Sequence, residues 1–190
     1  SLSGFDTGPG NCLLDDWYTK HHSNKFYDNG GEWAATGKED SGLLTQLLSE
    51  PYFAMQTPKS TGREVFNIVW LHDHLSAYTS TTLTNAQDVQ ATLISLTAQT
   101  IADQIGHLAS HGKVILCGGG KNNNTLKNKL ISTLSNFHFV DIDSLGFDGD
   151  ALEAMAFAWL AYAFKNNFHS NIPAVTGAQK STTLGVLFTP

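Results

Sequence analysis

A chain of 190 residues, 41% hydrophobic and 15% charged, has the composition of a globular domain with a substantial core and excludes a disordered chain. A formal net charge of -6, from 17 acidic and 11 basic residues, speaks against a nucleic-acid partner, because that affinity comes from clustered Lys and Arg. The longest apolar run, Ala154 to Phe164, is too short to span a bilayer, and the first residues lack a signal-peptide pattern, so a cytoplasmic location without a membrane partner is expected.

Two cysteines, Cys12 and Cys117, make no disulfide framework and read as small buried residues. Eight histidines include the pairs His21/His22, His72/His74 and His107/His111. None accompanies the Glu of a zinc-protease helix or a Cys-x-x-Cys partner, so they read as surface residues and no metal ligand set is assigned.

In chain order, Leu2 to Phe5 reads as the end of a strand running into Asp6-Thr-Gly-Pro-Gly-Asn11. Pro9 suits the first turn of a helix with an apolar side of Leu13, Leu14 and Trp17. Asn24 to Gly42 reads as a long ordered loop or short helical insertion anchored by Phe26, Tyr27 and Trp33. Leu43 to Leu48 reads as a short helix ended by Pro51, and Glu64 to Leu75 as another, after the polar loop Pro58 to Arg63. The longest helix is expected from Asp88 to about Ser110, deeply buried because Val89, Leu93, Leu96 and Ile94, Ile101, Ile105, Leu108 make a wide apolar face. Val114 to Cys117 reads as a strand buried on both faces, Gly118 to Gly120 as a turn, Leu126 to Leu134 as a helix and Phe137 to Val140 as a strand. A last helix keeps Leu152, Met155, Ala156, Trp159, Leu160, Ala163 and Phe164 at helical spacing. Strands alternating with helices predict a layered α/β domain.

Four segments could carry chemistry. Asp6, before a Gly-rich turn at a strand end, stands where α/β proteins bind ligands; it could ligate magnesium, take a proton, or merely cap a helix. The glycines let backbone N–H groups approach phosphate, helped by the helix N-terminus. Cys117-Gly-Gly-Gly-Lys-Asn-Asn123 permits a flat ligand or a phosphate to come close, or is a tight connection. Glu153 is either an acid facing a polar ligand or, with Asp150, part of a capping box. Lys59 and Arg63 could hold an anion or lie in a solvated loop.

Gly4-Phe-Asp-Thr-Gly-Pro-Gly-Asn11, Pro58-Lys-Ser-Thr-Gly-Arg-Glu64, Asp88-Val-Gln-Ala-Thr-Leu93, Cys117-Gly-Gly-Gly120, Glu153-Ala-Met-Ala-Phe-Ala-Trp-Leu-Ala161 and Pro173-Ala-Val-Thr-Gly-Ala178 occur together and in order. The set resembles the C-terminal half of the anhydro-N-acetylmuramic acid kinases and covers essentially the whole chain. The resemblance implies an actin-like ATPase (ribonuclease H-like) lobe with a mixed sheet flanked by helices, the N-terminal lobe and first strands of this lobe being missing. It implies conversion of 1,6-anhydro-N-acetylmuramic acid, ATP and water to N-acetylmuramic acid 6-phosphate in peptidoglycan recycling, with Mg2+ and in a possible homodimer. It makes Asp6 the general base, assigns ATP to Gly8, Gly10, Asn11, Gly118, Gly119, Gly120 and Asn123, and gives the sugar to Glu153. Where the family commonly shows Ala-His-Asn-Pro after the triple glycine, this chain has Lys121-Asn-Asn-Asn124. The family's first phosphate loop lies in its N-terminal half, so the chain alone is expected not to turn over. The competing expectations are another actin-like phosphotransferase and a non-catalytic sugar-sensing domain.

Overall fold

The computed structural model describes residues 2–79 and 85–188. Its helices are α1 (Cys12–His21), α2 (Glu32–Ala35), α3 (Ser41–Leu48), α4 (Pro51–Ala54), α5 (Ile68–Ala77), α6 (Ala86–Leu108), α7 (Asn124–Thr133), α8 (Leu152–Lys165) and α9 (Pro173–Thr176), with strands β1 (Gly112–Leu116) and β2 (Phe137–Asp141). The strands pair in parallel, Gly112 opposite Phe137 and Leu116 opposite Asp141. The architecture is α/β, a two-stranded parallel sheet flanked by helices; the mixed sheet expected from the sequence is not present among the described residues.

Helix α6 is the axis of the core. Asn85 starts it by accepting from the Asp88 N–H over 2.8 Å, which satisfies one of the orphan amides of the first turn. Val89, Leu93, Ile94, Leu96 and Ala98 are buried against Leu13, Leu14 and Trp17 of α1, Leu43 and Leu47 of α3, Phe66, Leu71 of α5, and Leu126 and Leu130 of α7. Burying each large apolar side chain is worth roughly 1.5–3 kcal/mol. Polar residues on α6 are buried too, and each makes a hydrogen bond, although Gln90 Oε1 has no partner among the described residues. Gln90 donates to the Leu14 carbonyl over 3.2 Å, Ser95 donates to Glu39 over 2.5 Å, and Thr97 donates to the Gly10 carbonyl over 2.9 Å. The expected deep burial holds for residues 89–98 but not for the helix end, where Leu108 is exposed.

Several sequence expectations shift on folding. Residues 2–5 form no strand, because no neighbouring strand pairs with them among the described residues. Helix α1 begins at Cys12, whose N–H bonds to the Pro9 carbonyl over 3.1 Å, so Pro9 closes the turn before it. The helix expected from Glu64 starts at Ile68, since Asn67 accepts from the N–H groups of Val69 and Trp70, both over 3.0 Å. Pro51 opens α4 rather than only closing α3.

Strand β1 is not buried on both faces. Period-two alternation turns Leu116 toward the core, against which Phe139 of β2 also packs, while Ile115 faces away and is 45% exposed. Helix α8 is likewise uncovered: Phe157, Trp159 and Tyr162 are more than half exposed, and Ala163 is the buried residue of the helix. Cys117 is exposed and Cys12 half-buried, against the expectation of two buried thiols.

Candidate functional site

Asp6 sits in a braced loop. Its backbone N–H donates to the Lys59 carbonyl over 3.1 Å, and its own carbonyl accepts the Tyr52 hydroxyl over 2.8 Å. Its carboxylate oxygen Oδ2 accepts from the Ser60 hydroxyl over 2.8 Å and from the Thr61 N–H over 3.0 Å. Oδ1 receives neither donor. Asp6 caps no helix; the residue preceding α1 is Asn11. The carboxylate lines a cavity of about 490 Å³ with Gly4, Phe5, Pro58, Lys59, Ser60, Val175 and Thr176.

Lys59 explains why the loop keeps this shape. It is buried, and its ammonium donates to the carbonyls of Tyr52 and Phe53, each over 3.1 Å, while lying 4.8 Å from the centre of the Tyr52 ring. Burial pushes its pKa below the usual lysine value. Lys59 is therefore neither an anion clamp nor a solvated loop residue. Arg63 pairs with Asp16 over 2.9 Å and is also committed.

The glycines of the first loop are needed for close approach. A side chain at Gly8 would stand 2.9 Å from the Phe53 ring and 3.1 Å from the Thr100 hydroxyl. Gly10 takes φ +54, a left-handed conformation that suits glycine. The chain then enters α1, whose first turn meets the second glycine loop: a Cβ at Gly120 would lie 3.4 Å from the Asn11 amide.

That junction borders a second cavity, of about 460 Å³, lined by Asn11, Leu14, Asp15, Asp28, Gly119 and Asn123 among others. Gly118 has φ +74 and starts a single 3-10 turn over Gly119–Asn122. Asn123 ends it and caps α7, accepting from the Leu126 N–H over 3.0 Å. The structure thus brings Asn11, Gly119, Gly120 and Asn123 together. Two glycine-rich turns beside a helix N-terminus present backbone N–H groups of the kind that phosphates accept from.

Glu153 is not brought to either cavity. It is exposed on the first turn of α8. The capping box expected with Asp150 does not form, because Asp148 takes the N–H groups of Asp150 and Ala151, over 2.9 and 3.2 Å, and α8 has no side-chain cap. Phe26 and Tyr27, read from the sequence as anchors, are exposed at the edge of the 460 Å³ cavity, whereas Trp33 packs on the core.

Two residues were missed by the sequence reading. Asp15, one turn beyond Asn11, lines the 460 Å³ cavity, and burial pushes its pKa up from 3.8 to about 6 against the pull of Arg63 and with the help of Asp16. The four-residue spacing from Asn11 on α1 was the available signal. Lys121 ties the second glycine turn to Asp143 over 2.6 Å and approaches Asp150 at 3.8 Å; nothing local in the sequence identifies its partners. Among the described residues no group of three or more His, Cys, Asp or Glu is arranged to hold a metal ion.

Comparison with known proteins places these features in a family. The family model for anhydro-N-acetylmuramic acid kinase matches residues 1–190. The anhydro-N-acetylmuramic acid kinase of Colwellia psychrerythraea is 50% identical over 203 residues, covering 100% of this chain and 51% of that protein. Its counterpart in Pasteurella multocida is 46% identical, covering 97% and 48%, and that of Haemophilus influenzae is 43% identical, covering 99% and 51%. The chain spans about half the length of the curated relatives it matches. By the full-length family match and these identities, the chain belongs to the anhydro-N-acetylmuramic acid kinase family.

Proposed function

We propose that this chain is one lobe of an actin-like, ATP-dependent kinase that converts 1,6-anhydro-N-acetylmuramic acid and water to N-acetylmuramic acid 6-phosphate, a step of peptidoglycan recycling. The names of the relatives and the full-length family match support the substrate. The observation that carries the chemistry is the carboxylate of Asp6, with two donors on Oδ2 and neither of them on Oδ1, at the wall of a cavity. A carboxylate so held can take a proton from a bound water.

In this reading water attacks the anomeric carbon of the sugar and gives its proton to Asp6. The bond from that carbon to the bridging 6-oxygen breaks, and the 6-oxygen takes the γ-phosphoryl group of ATP, which leaves as ADP. The nucleotide occupies the cavity between Asn11 and Gly119, with Gly8 and Gly10 toward its phosphates and Gly118, Gly120 and Asn123 around the adenosine. Glu153 serves the sugar only if the part of the protein that covers α8 brings the two together. Mg2+ suits the site as an ion held mostly by phosphate oxygens and water, since the described residues include no group of three or more His, Cys, Asp or Glu arranged to hold it.

Phosphoryl transfer is chiefly positioning and electrostatic stabilisation by parts of both lobes. The remaining half of the length found in the relatives supplies the other lobe, and the chain alone does not turn over. No helix among the described residues is long and apolar enough to cross a membrane; a cytoplasmic enzyme, working as a homodimer, completes the proposal. Product analysis by mass in the full-length protein carrying this chain tests the reading. Addition of both water and a phosphoryl group to the anhydro sugar supports it. Phosphorylation of other acceptors with the anhydro sugar untouched would reassign the chain to another phosphotransferase.

A further inference from the structure

Asp6 is held by more than its own backbone, and the residues that hold its carboxylate lie over fifty positions away. Ser60 and Thr61 both donate to the same carboxylate oxygen, at 2.8 and 3.0 Å. Two donors on one oxygen fix the rotation of the carboxylate about its last bond. The loop that delivers them is fixed in turn. Lys59, immediately before Ser60, is anchored by two carbonyls of α4, the Lys59 carbonyl accepts the Asp6 N–H, and Tyr52 of α4 reaches the Asp6 carbonyl. Every link of this ring runs between the loop of Asp6, the loop of Ser60 and α4. The Ser60 hydroxyl is the one side-chain donor in it to the reacting carboxylate, and Ser60 is exposed, so its bond to Asp6 is not a by-product of burial.

We propose that Ser60 is a positioning residue for the base of this enzyme, holding the Asp6 carboxylate through Oδ2 so that Oδ1 takes the proton of the attacking water. The proposal rests on the reading of Asp6 as that base. The proton moves from water to Asp6 alone; the Ser60 hydroxyl keeps its own proton and donates throughout. Beside Asp6 lie the Lys59 ammonium, turned toward the α4 carbonyls, and the Tyr52 phenol, which donates to the Asp6 carbonyl. Tyr52 has its pKa raised by burial first and then by the charges of Asp6 and Glu64. None of these donates to Oδ2, so loss of the Ser60 hydroxyl leaves the Thr61 N–H as the sole remaining donor described there.

The test uses the full-length protein carrying this chain. Ser60→Ala should lower kcat by about ten- to a hundredfold, the span of one hydrogen bond to a charged group, with little change in KM for either substrate. Ser60→Thr, which keeps a hydroxyl, should restore most of kcat. Unchanged thermal unfolding would show that Ser60→Ala has folded. An Ala variant with wild-type kcat would overturn the positioning role. So would a Thr variant as impaired as Ala. Retained activity in Asp6→Asn would instead remove the base itself, and the proposal with it.

Discussion

The Lys121 ammonium donates to Asp143 Oδ2 over 2.6 Å, which ties the loop lining the 460 Å³ cavity to the segment that leads into α8. The Asp143 hydrogen bond, more than any other contact, holds Lys121 above the usual lysine range; the Lys121 bond and then the Gly149 N–H hold Asp143 well below the usual carboxylate range. Because the Asp143 pKa is depressed, its contribution is present at neutral pH and disappears only as pH falls below the ordinary aspartate range. The Lys121 side chain is 11% exposed but Asp143 is 48% exposed, so solvent weakens the pair. Lys121→Met should reduce nucleotide affinity by about two- to fivefold, read by calorimetry on the full-length protein. Exchange of the two charges, Lys121→Asp with Asp143→Lys, should recover part of the loss. Unaltered affinity in Lys121→Met would separate this ion pair from the nucleotide loop.

Asp15 predicts a pH dependence of stability. Its carboxyl is raised to about 6 in the fold, chiefly by burial, from an ordinary 3.8. Between those values the folded chain binds more protons than the unfolded one, so stability falls as pH rises through the window. The full penalty is present at neutral pH, reduced by the half-exposure of the group. Asp15→Asn should therefore raise the melting temperature of the nucleotide-free protein at pH 7 and flatten its decline between about pH 4 and pH 6. Equal melting temperatures for the two proteins across that range would contradict the assignment.

Gly31 has φ +72, and a Cβ there would lie 2.2 Å from Asn123 Oδ1 and 2.7 Å from Thr125 Cβ. The Thr125 hydroxyl already donates to the Gly31 carbonyl over 2.8 Å. Gly31→Ala thus combines backbone strain with displacement of the residue that caps α7. A loss of about 2 kcal/mol is expected from the two effects together, measured by denaturant unfolding, together with weaker nucleotide binding as Asn123 moves. A variant as stable as wild type would show that the α7 cap gives way freely.

How far the sequence discloses this structure depends on whether a signal is local. Helix α6 is legible because Val89, Leu93 and Leu96 recur at helical spacing over many turns, and Asn85 supplies a cap. Leu13, Leu14 and Trp17 announce the buried side of α1 in the same way. The strand at Leu2 to Phe5 fails for the opposite reason: a strand exists only with a neighbour, and none pairs with it among the described residues. Helix α8 has a helix-long apolar pattern and still exposes Trp159 and Tyr162, because pattern states which face wants covering but not what covers it. At the candidate site the glycine positions were readable, since left-handed φ at Gly10 and Gly118 demands glycine. The hold of Ser60 on Asp6 and of Lys121 on Asp143 was not, because each joins side chains at least 22 positions apart. Lys59 read as a loop cation because its burial depends on the carbonyls of α4, which folding alone brings within reach.

The central claim is that Asp6 activates water for opening of the anhydro ring during phosphoryl transfer. The most direct measurement compares wild type with Asp6→Asn in the full-length protein, with 1,6-anhydro-N-acetylmuramic acid, ATP and Mg2+, following the sugar product by mass. The account predicts that wild type adds water and one phosphoryl group, and that Asp6→Asn loses about 10²–10⁴-fold in kcat while still binding nucleotide. Asp6→Asn turning over at the wild-type rate would contradict it and leave the chain with a sugar-binding role alone.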